Sequence, residues 1–320
     1  VSAFANSADT ESARPKLFGV IAAWVALCAI WGSTWLVIKI GLAELPPLWF
    51  VAIRFLVATI VLFAICLGRF PILPRRRADY LFLAGTGLLM FAINYGLLFW
   101  GEQHVSSGLA AVLQATIPIF GMIFAHLHLP SERMQWTKML GAILGLAGVA
   151  VICSKVLDVA GPLAFQGGLA IIIGAVACAY ANVWTKMRGG GFAPAVLAAW
   201  QMLFSLGPLL VLAFWWEGSP RRLHWSVSSV SCLLYLALVG SALAFLLYYW
   251  LLRRVAVTKL QTISLIVPPV AVVLGWSVAG EELSRWALLG AGWILIGMSL
   301  IFWKVPRRRM PALLSVPAEG

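Results

Sequence analysis

Eight side chains able to hydrogen-bond a small solute recur inside otherwise apolar stretches of this 320-residue chain: Asn94, Tyr95, Gln114, Tyr180, Asn182, Tyr248, Gln261 and Ser264. All are neutral. Amides and hydroxyls of this kind can hydrogen-bond the polar groups of a small solute, and the tyrosine rings add apolar area. The same stretches hold no carboxylate: all eleven Asp and Glu fall in tails, connections or stretch ends, with Glu102 the nearest to a helix. A buried carboxylate is the usual means of proton or sodium coupling within a membrane, so a carboxylate-driven pump is disfavoured. Coupling through Glu102 or His104 remains the minor alternative. No histidine pair has metal-ligand spacing and no carboxylate pair is placed for catalysis, so the chain is not expected to be an enzyme or to need a metal or cofactor. The five cysteines, Cys28, Cys66, Cys153, Cys178 and Cys232, lie in apolar stretches without paired spacing and read as free thiols.

Such residues need membrane helices to position them. The chain is 62% hydrophobic and 11% charged, outside the soluble balance. Ten stretches have the length of a spanning helix: 17–40, 48–68, 80–101, 107–128, 135–154, 167–187, 195–216, 229–252, 257–279 and 286–304. Short connections leave no room for a soluble domain, so residues 1–320 form one membrane domain. The net charge of +12 is distributed as topology requires. With both termini in the cytoplasm, 17 Lys and Arg fall inside and 5 outside, which is the positive-inside arrangement. The basic runs Arg75–Arg77 and Arg307–Arg309 then meet anionic lipid, and nucleic acid is not an expected partner. The opening residues lack a signal-peptide pattern, so the first span is expected to be retained.

The second five spans repeat the first. Lys39, Pro47 and Arg54 recur as Lys186, Pro194 and Gln201, each 147 positions on. Trp100, Val105, Pro118, Glu132 and Trp136 recur 150 positions on as Trp250, Val255, Pro268, Glu282 and Trp286. Five crossings are an odd number, so residues 17–154 and 167–304 must insert with opposite orientation. Inverted repeats enclose transporter sites between their halves. The fold expected is therefore all-α and integral to the membrane, with ten transmembrane helices in two inverted five-helix repeats around a central cavity.

Within that frame Pro118 and Pro268 are expected to kink spans four and nine and to act in gating, because each leaves a carbonyl four residues earlier without its donor. Trp31 and Trp35 share one face of span one with Trp24 and Cys28, either as an aromatic cavity wall or as a lipid-facing stripe. Trp49, Trp136, Trp215, Trp216, Trp225, Trp286 and Trp303 sit at span ends as an interfacial belt. Gly141, Gly145, Gly148, Gly290 and Gly297 give spans five and ten small faces for close packing. Arg54 is the one charge well inside a span. Its repeat partner is the neutral Gln201, so a structural role is favoured over substrate binding.

The run Trp31-Gly32-Ser33-Thr34-Trp35-Leu36-Val37-Ile38-Lys39, followed by Leu45-Pro46-Pro47 and Arg54-Phe55, resembles the opening of EamA-type members of the drug/metabolite transporter superfamily. So does Tyr95-Gly96-Leu97-Leu98-Phe99-Trp100-Gly101-Glu102, continuing through Ser107-Gly108-Leu109-Ala110-Ala111 to Pro118. Within the superfamily the chain is similar to the YddG group of amino-acid exporters. The resemblance implies a ten-helix basket, a cavity lined by spans 1, 3, 4, 6, 8 and 9, and export of amino acids, other metabolites or organic cations. The expected protein is a multi-pass exporter of the bacterial inner membrane, acting on small molecules by alternating access. The alternatives are a channel-like facilitator, an exporter of organic cations or drugs, and, last, an integral-membrane enzyme on lipid-linked substrates. The oligomeric state is not legible.

Overall fold

The computed structural model describes residues 17–69, 73–105, 107–152, 163–223, 225–279 and 285–303. Cys153, Glu282, most of the 155–166 link and the two tails lie outside them. Every regular element among the described residues is a helix, as lipid demands of a backbone with no water to bond. Six spans run for 20 to 26 residues: one, Leu17–Leu42; two, Pro47–Cys66; three, Arg77–Glu102; six, Ala164–Arg188; seven, Pro194–Trp216; eight, Val227–Leu252. Spans five and ten are the shorter helices Trp136–Ile152 and Arg285–Phe302. Span four is split into Ser107–Gln114 and Ile117–His128, and span nine into Val257–Leu260 and Ile263–Ala279. Together they are the ten transmembrane helices of two inverted repeats.

The packing obeys the repeat. Span two lies along span seven, and span five along span ten. The second part of span three packs on span six as the second part of span eight packs on span one. Pro47 and Pro194 begin spans two and seven, where a helix has no use for the missing N–H. The core divides accordingly. A large apolar cluster joins spans one to four and six to nine, while Ala115, Met122, Ala142, Val149, Leu265, Ile294 and Ile301 form a second cluster that fastens spans five and ten to four and nine.

The glycine faces meet inside the molecule. A Cβ on Gly141 would strike the Gly297 carbonyl, and one on Gly148 the Gly290 carbonyl. At the end where spans one and two connect, the Glu217 carboxylate accepts from the Leu48 and Trp49 amides at 2.8 and 2.9 Å and so caps span two. Burial pushes that carboxyl above its ordinary range, against the pull of the two amides. Trp49 departs from the expected interfacial belt: it is 4% exposed, packed on Phe214, and donates its indole N–H to the Gly218 carbonyl at 3.1 Å. Its position at a span end is satisfied by the neighbouring connection instead of by lipid headgroups.

Since a side chain at Gly297 has to displace backbone of span five, Gly297→Leu should lower stability by about 1–3 kcal/mol. Gly292→Leu, on the same helix with open space around it, should be near neutral. Thermal unfolding in detergent, followed by size exclusion, compares the two, and equal midpoints would refute the contact.

Candidate functional site

Between the repeats lies a cavity of about 130 Å³, against roughly 10–15 Å³ needed for one water. Its walls come in repeat-related pairs. Trp31 and Cys178, and likewise Trp35 and Asn182, stand 147 positions apart, and all four border it. Tyr95 and Phe245, Leu98 and Tyr248, Gln114 and Ser264, each 150 apart, do the same. The scaffold is symmetric while the chemistry is not. Span one contributes two indoles where span six contributes a thiol and an amide.

Two devices aim these side chains. Leu88–Ile93 and Leu238–Leu243 are π-helical turns at matching repeat positions. In the second, the Ala244 amide bonds the Val239 and Ser241 carbonyls and passes over Gly240. The Gly240 carbonyl instead accepts from Trp31 Nε1 at 3.4 Å and Arg54 Nη2 at 3.2 Å. A Cβ at Gly240 would lie 2.9 Å from Thr34 Cγ2, so glycine is what allows the approach. π turns of this kind are rare and concentrate at functional sites.

The second device is the pair of helix breaks. Pro118 cannot donate to the Gln114 carbonyl, and span four ends its first half there. The Thr116 amide turns back to Leu113 at 3.2 Å and its hydroxyl bonds the same carbonyl. Gln114 thus reaches the cavity, where its Nε2 donates to Asn94 Oδ1 at 3.1 Å. In span nine the break at residues 261–262 comes well before the proline, with Ser264 Oγ bonding the Gln261 carbonyl at 2.9 Å. The two prolines therefore differ in their place in the fold. Pro118 lies in the first turn of a new helix, buried and off the cavity, while Pro268 sits within its helix and borders the cavity.

Trp31, Trp35, Asn94, Tyr95, Gln114, Asn182, Tyr248, Gln261 and Ser264 all border the cavity. Tyr180 does not. It stacks edge-on with Phe124 and His128, because it lies two residues from both Cys178 and Asn182, and about 200° of helical turn carries it to the other side. Trp24 is also off the cavity. Cys178, one turn from Asn182 on the same face of span six, lines it too, and Arg54, Thr34, Met90 and Phe245 do so without having been expected there. A repeat offset would have found Phe245 from Tyr95.

Opposite the Glu217 cap, the loops after spans four, six and eight are tied together. Glu132 is buried and accepts from the Val257 and Thr258 amides at 2.9 and 3.1 Å and from the Thr258 hydroxyl at 3.0 Å. Lys186 Nζ donates to the carbonyls of Leu252 and Val255, and Arg253 Nη2 to that of Gly190 at 2.9 Å. A carboxylate at the start of span nine and an ammonium at the end of span eight both complement helix dipoles. Among the described residues no cluster of potential metal ligands is present.

The model of the EamA-like transporter family matches residues 17–154 and again residues 165–303. The uncharacterized inner membrane transporter YedA of Escherichia coli is 34% identical over 89% of this chain and 91% of its own length. A probable terminal-alkyne amino-acid exporter of Streptantibioticus cattleyicolor is 29% identical over 93% of this chain and 98% of its own. A crystal structure superposes with a TM-score of 0.75 at 19% identity, covering 89% of this chain and 96% of the other, and supports the fold alone.

The ties of Glu132 yield a test. Glu132→Ala leaves two amides and a hydroxyl without their acceptor and should cost about 1–3 kcal/mol, with Glu132→Gln between it and the parent. Thermal unfolding in detergent checks the order, and an unchanged Glu132→Ala would show the ties to be idle.

Proposed function

The chain belongs to the EamA-like transporter family, and from that premise we propose that it exports small metabolites, namely amino acids with aromatic and hydrophobic ones favoured, across the inner membrane by alternating access. The observation that carries the reading is the cavity itself. Both repeats build it, aromatic rings wall it, and several neutral hydrogen-bonding side chains and one arginine border a mostly apolar space, the composition expected of a small-molecule site. The relative named as an amino-acid exporter supports the substrate class, and the one named as an inner membrane transporter supports the location.

Trp31 makes ring contacts with Phe245 at 5.5 Å and Tyr248 at 5.4 Å, giving an apolar aromatic subsite. Asn94, Gln114, Asn182, Gln261 and Ser264 supply hydrogen bonds around it. Apolar pockets distinguish solutes differing by a methylene only weakly, so the range of substrates is broad. The cycle requires the cavity to open alternately to each side. Glu132, Lys186 and Arg253 hold the end bearing the loops after spans four, six and eight, and the distribution of basic residues supports a cytoplasmic position for that end and both termini. Pro268 acts as a hinge within span nine, and Pro118 as the start of the mobile half of span four.

Uptake of radiolabelled phenylalanine into proteoliposomes, with counterflow driven by internal unlabelled phenylalanine, tests the proposal. Counterflow is expected of a carrier. Flux without it means a channel-like facilitator, and no flux of any amino acid overturns the reading. Trp31→Ala should reduce phenylalanine transport about tenfold or more while threonine changes much less. Equal losses for both would return Trp31 to a packing role. Asn94→Ala and Gln114→Leu should both impair transport with expression retained.

A further inference from the structure

We infer that Arg54 receives the carboxylate of the transported molecule, so that the cavity selects solutes with a free carboxylate; this rests on the export reading above and names its recognition chemistry. Arg54 is 1% exposed and borders the cavity. Its guanidinium meets neutral groups only, the Tyr95 side chain among them. Nε donates to Ser241 Oγ at 2.7 Å and Nη2 to the Gly240 carbonyl at 3.2 Å, both neutral acceptors. Nη1 is buried without any partner. The rings of Tyr95 and Phe55 lie 5.3 and 5.6 Å from the guanidinium carbon and add a cation–π contribution. They do not neutralise the charge.

No described carboxylate does so either. Glu44 is bonded to Ser226, Glu132 to Val257 and Thr258, Glu217 to Leu48 and Trp49, and Asp79 to the Arg76 amide. Glu102 ends span three, about two turns beyond Tyr95. A buried cation with a spare donor is costly to leave unpaired, and a planar fork of donors matches a carboxylate better than any other small group.

Gln201 shows that the charge exceeds what the scaffold needs. It occupies the equivalent place in the second repeat and is fully buried. Its Nε2 donates to Thr86 Oγ1 at 2.7 Å and Thr185 Oγ1 at 3.3 Å, and its Oε1 accepts from the Tyr249 hydroxyl. A neutral amide therefore satisfies the packing role with nothing left over. In the first repeat the same place carries a charge and an unused nitrogen. A complementary pole is present as well: Asn182 Oδ1 is a buried acceptor without a donor, on a residue that borders the same cavity. One cationic donor and one neutral acceptor fit the carboxylate and ammonium of a zwitterion.

The test uses the full chain in proteoliposomes and competes labelled phenylalanine with unlabelled analogues. Phenylalanine and N-acetylphenylalanine, which keep the carboxylate, should compete at least about tenfold better than phenylalaninamide and phenethylamine, which lack it. Arg54→Gln, checked for a monodisperse peak in detergent, should lose that preference, and Arg54→Lys should retain part of it. If the unaltered protein takes phenylalanine and phenylalaninamide equally, or if folded Arg54→Gln keeps the preference, Arg54 is a packing residue and the inference falls. The measurement on the unaltered protein decides the matter even if Arg54→Gln does not fold. Absence of flux for every compound overturns the export reading instead, so the two failures are distinct.

Discussion

In hydrocarbon every backbone N–H and C=O must find a partner within the protein, at a cost of several kcal/mol for each that does not. The ten helices follow from that requirement, and so do the places where they are interrupted. A carbonyl released by a π turn or a proline can persist only where another group meets it or a cavity wets it. Gly240 is the case in point: the π turn frees its carbonyl from the Ala244 amide, and Trp31 and Arg54 take it up. The breaks in spans four and nine turn Gln114 and Ser264 to the same interior space. The site is assembled where the helical ladder is incomplete.

Duplication makes this economical. Equivalent π turns, equivalent N-terminal prolines and equivalent cavity positions recur in both repeats, so one backbone solution builds two walls. Divergence of side chains on that shared backbone then supplies the chemistry. Trp31 and Trp35 face Cys178 and Asn182 in the repeat correspondence, and Arg54 corresponds to Gln201. An aromatic wall, a polar wall and the buried cation Arg54 arise without any change in how the helices pack. Spans five and ten stand apart from this. Their glycine faces hold each other, and their apolar cluster joins them to spans four and nine.

Interactions at the two ends have a different character from those at the centre. Glu217 and Glu132 both spend their carboxylates on amides at the start of another span. These bonds fasten connections to helix ends and leave the middle of the bundle free of acidic groups among the described residues. That separation keeps the cavity's electrostatics in the hands of Arg54 and its neutral neighbours.

The sequence by itself determined the class, the count of spans and the duplication, because long apolar runs admit only helices in lipid and because fixed offsets of 147 and 150 survive without any coordinates. Most cavity-facing positions were legible for the same reason: helical periodicity sorts polar from apolar faces. Tyr180 was misread by residue type when its own spacing from Asn182 already put it on the opposite side. Trp49 could not be read at all, since a span end looks the same whether lipid headgroups or a neighbouring loop covers it. Arg54 was the deepest limit. Whether its guanidinium is spent on packing or left with a spare donor depends on a π turn in span eight, 186 positions away. That is a through-space relation between backbone groups, and no local pattern of side chains encodes it; only the tertiary structure decided it.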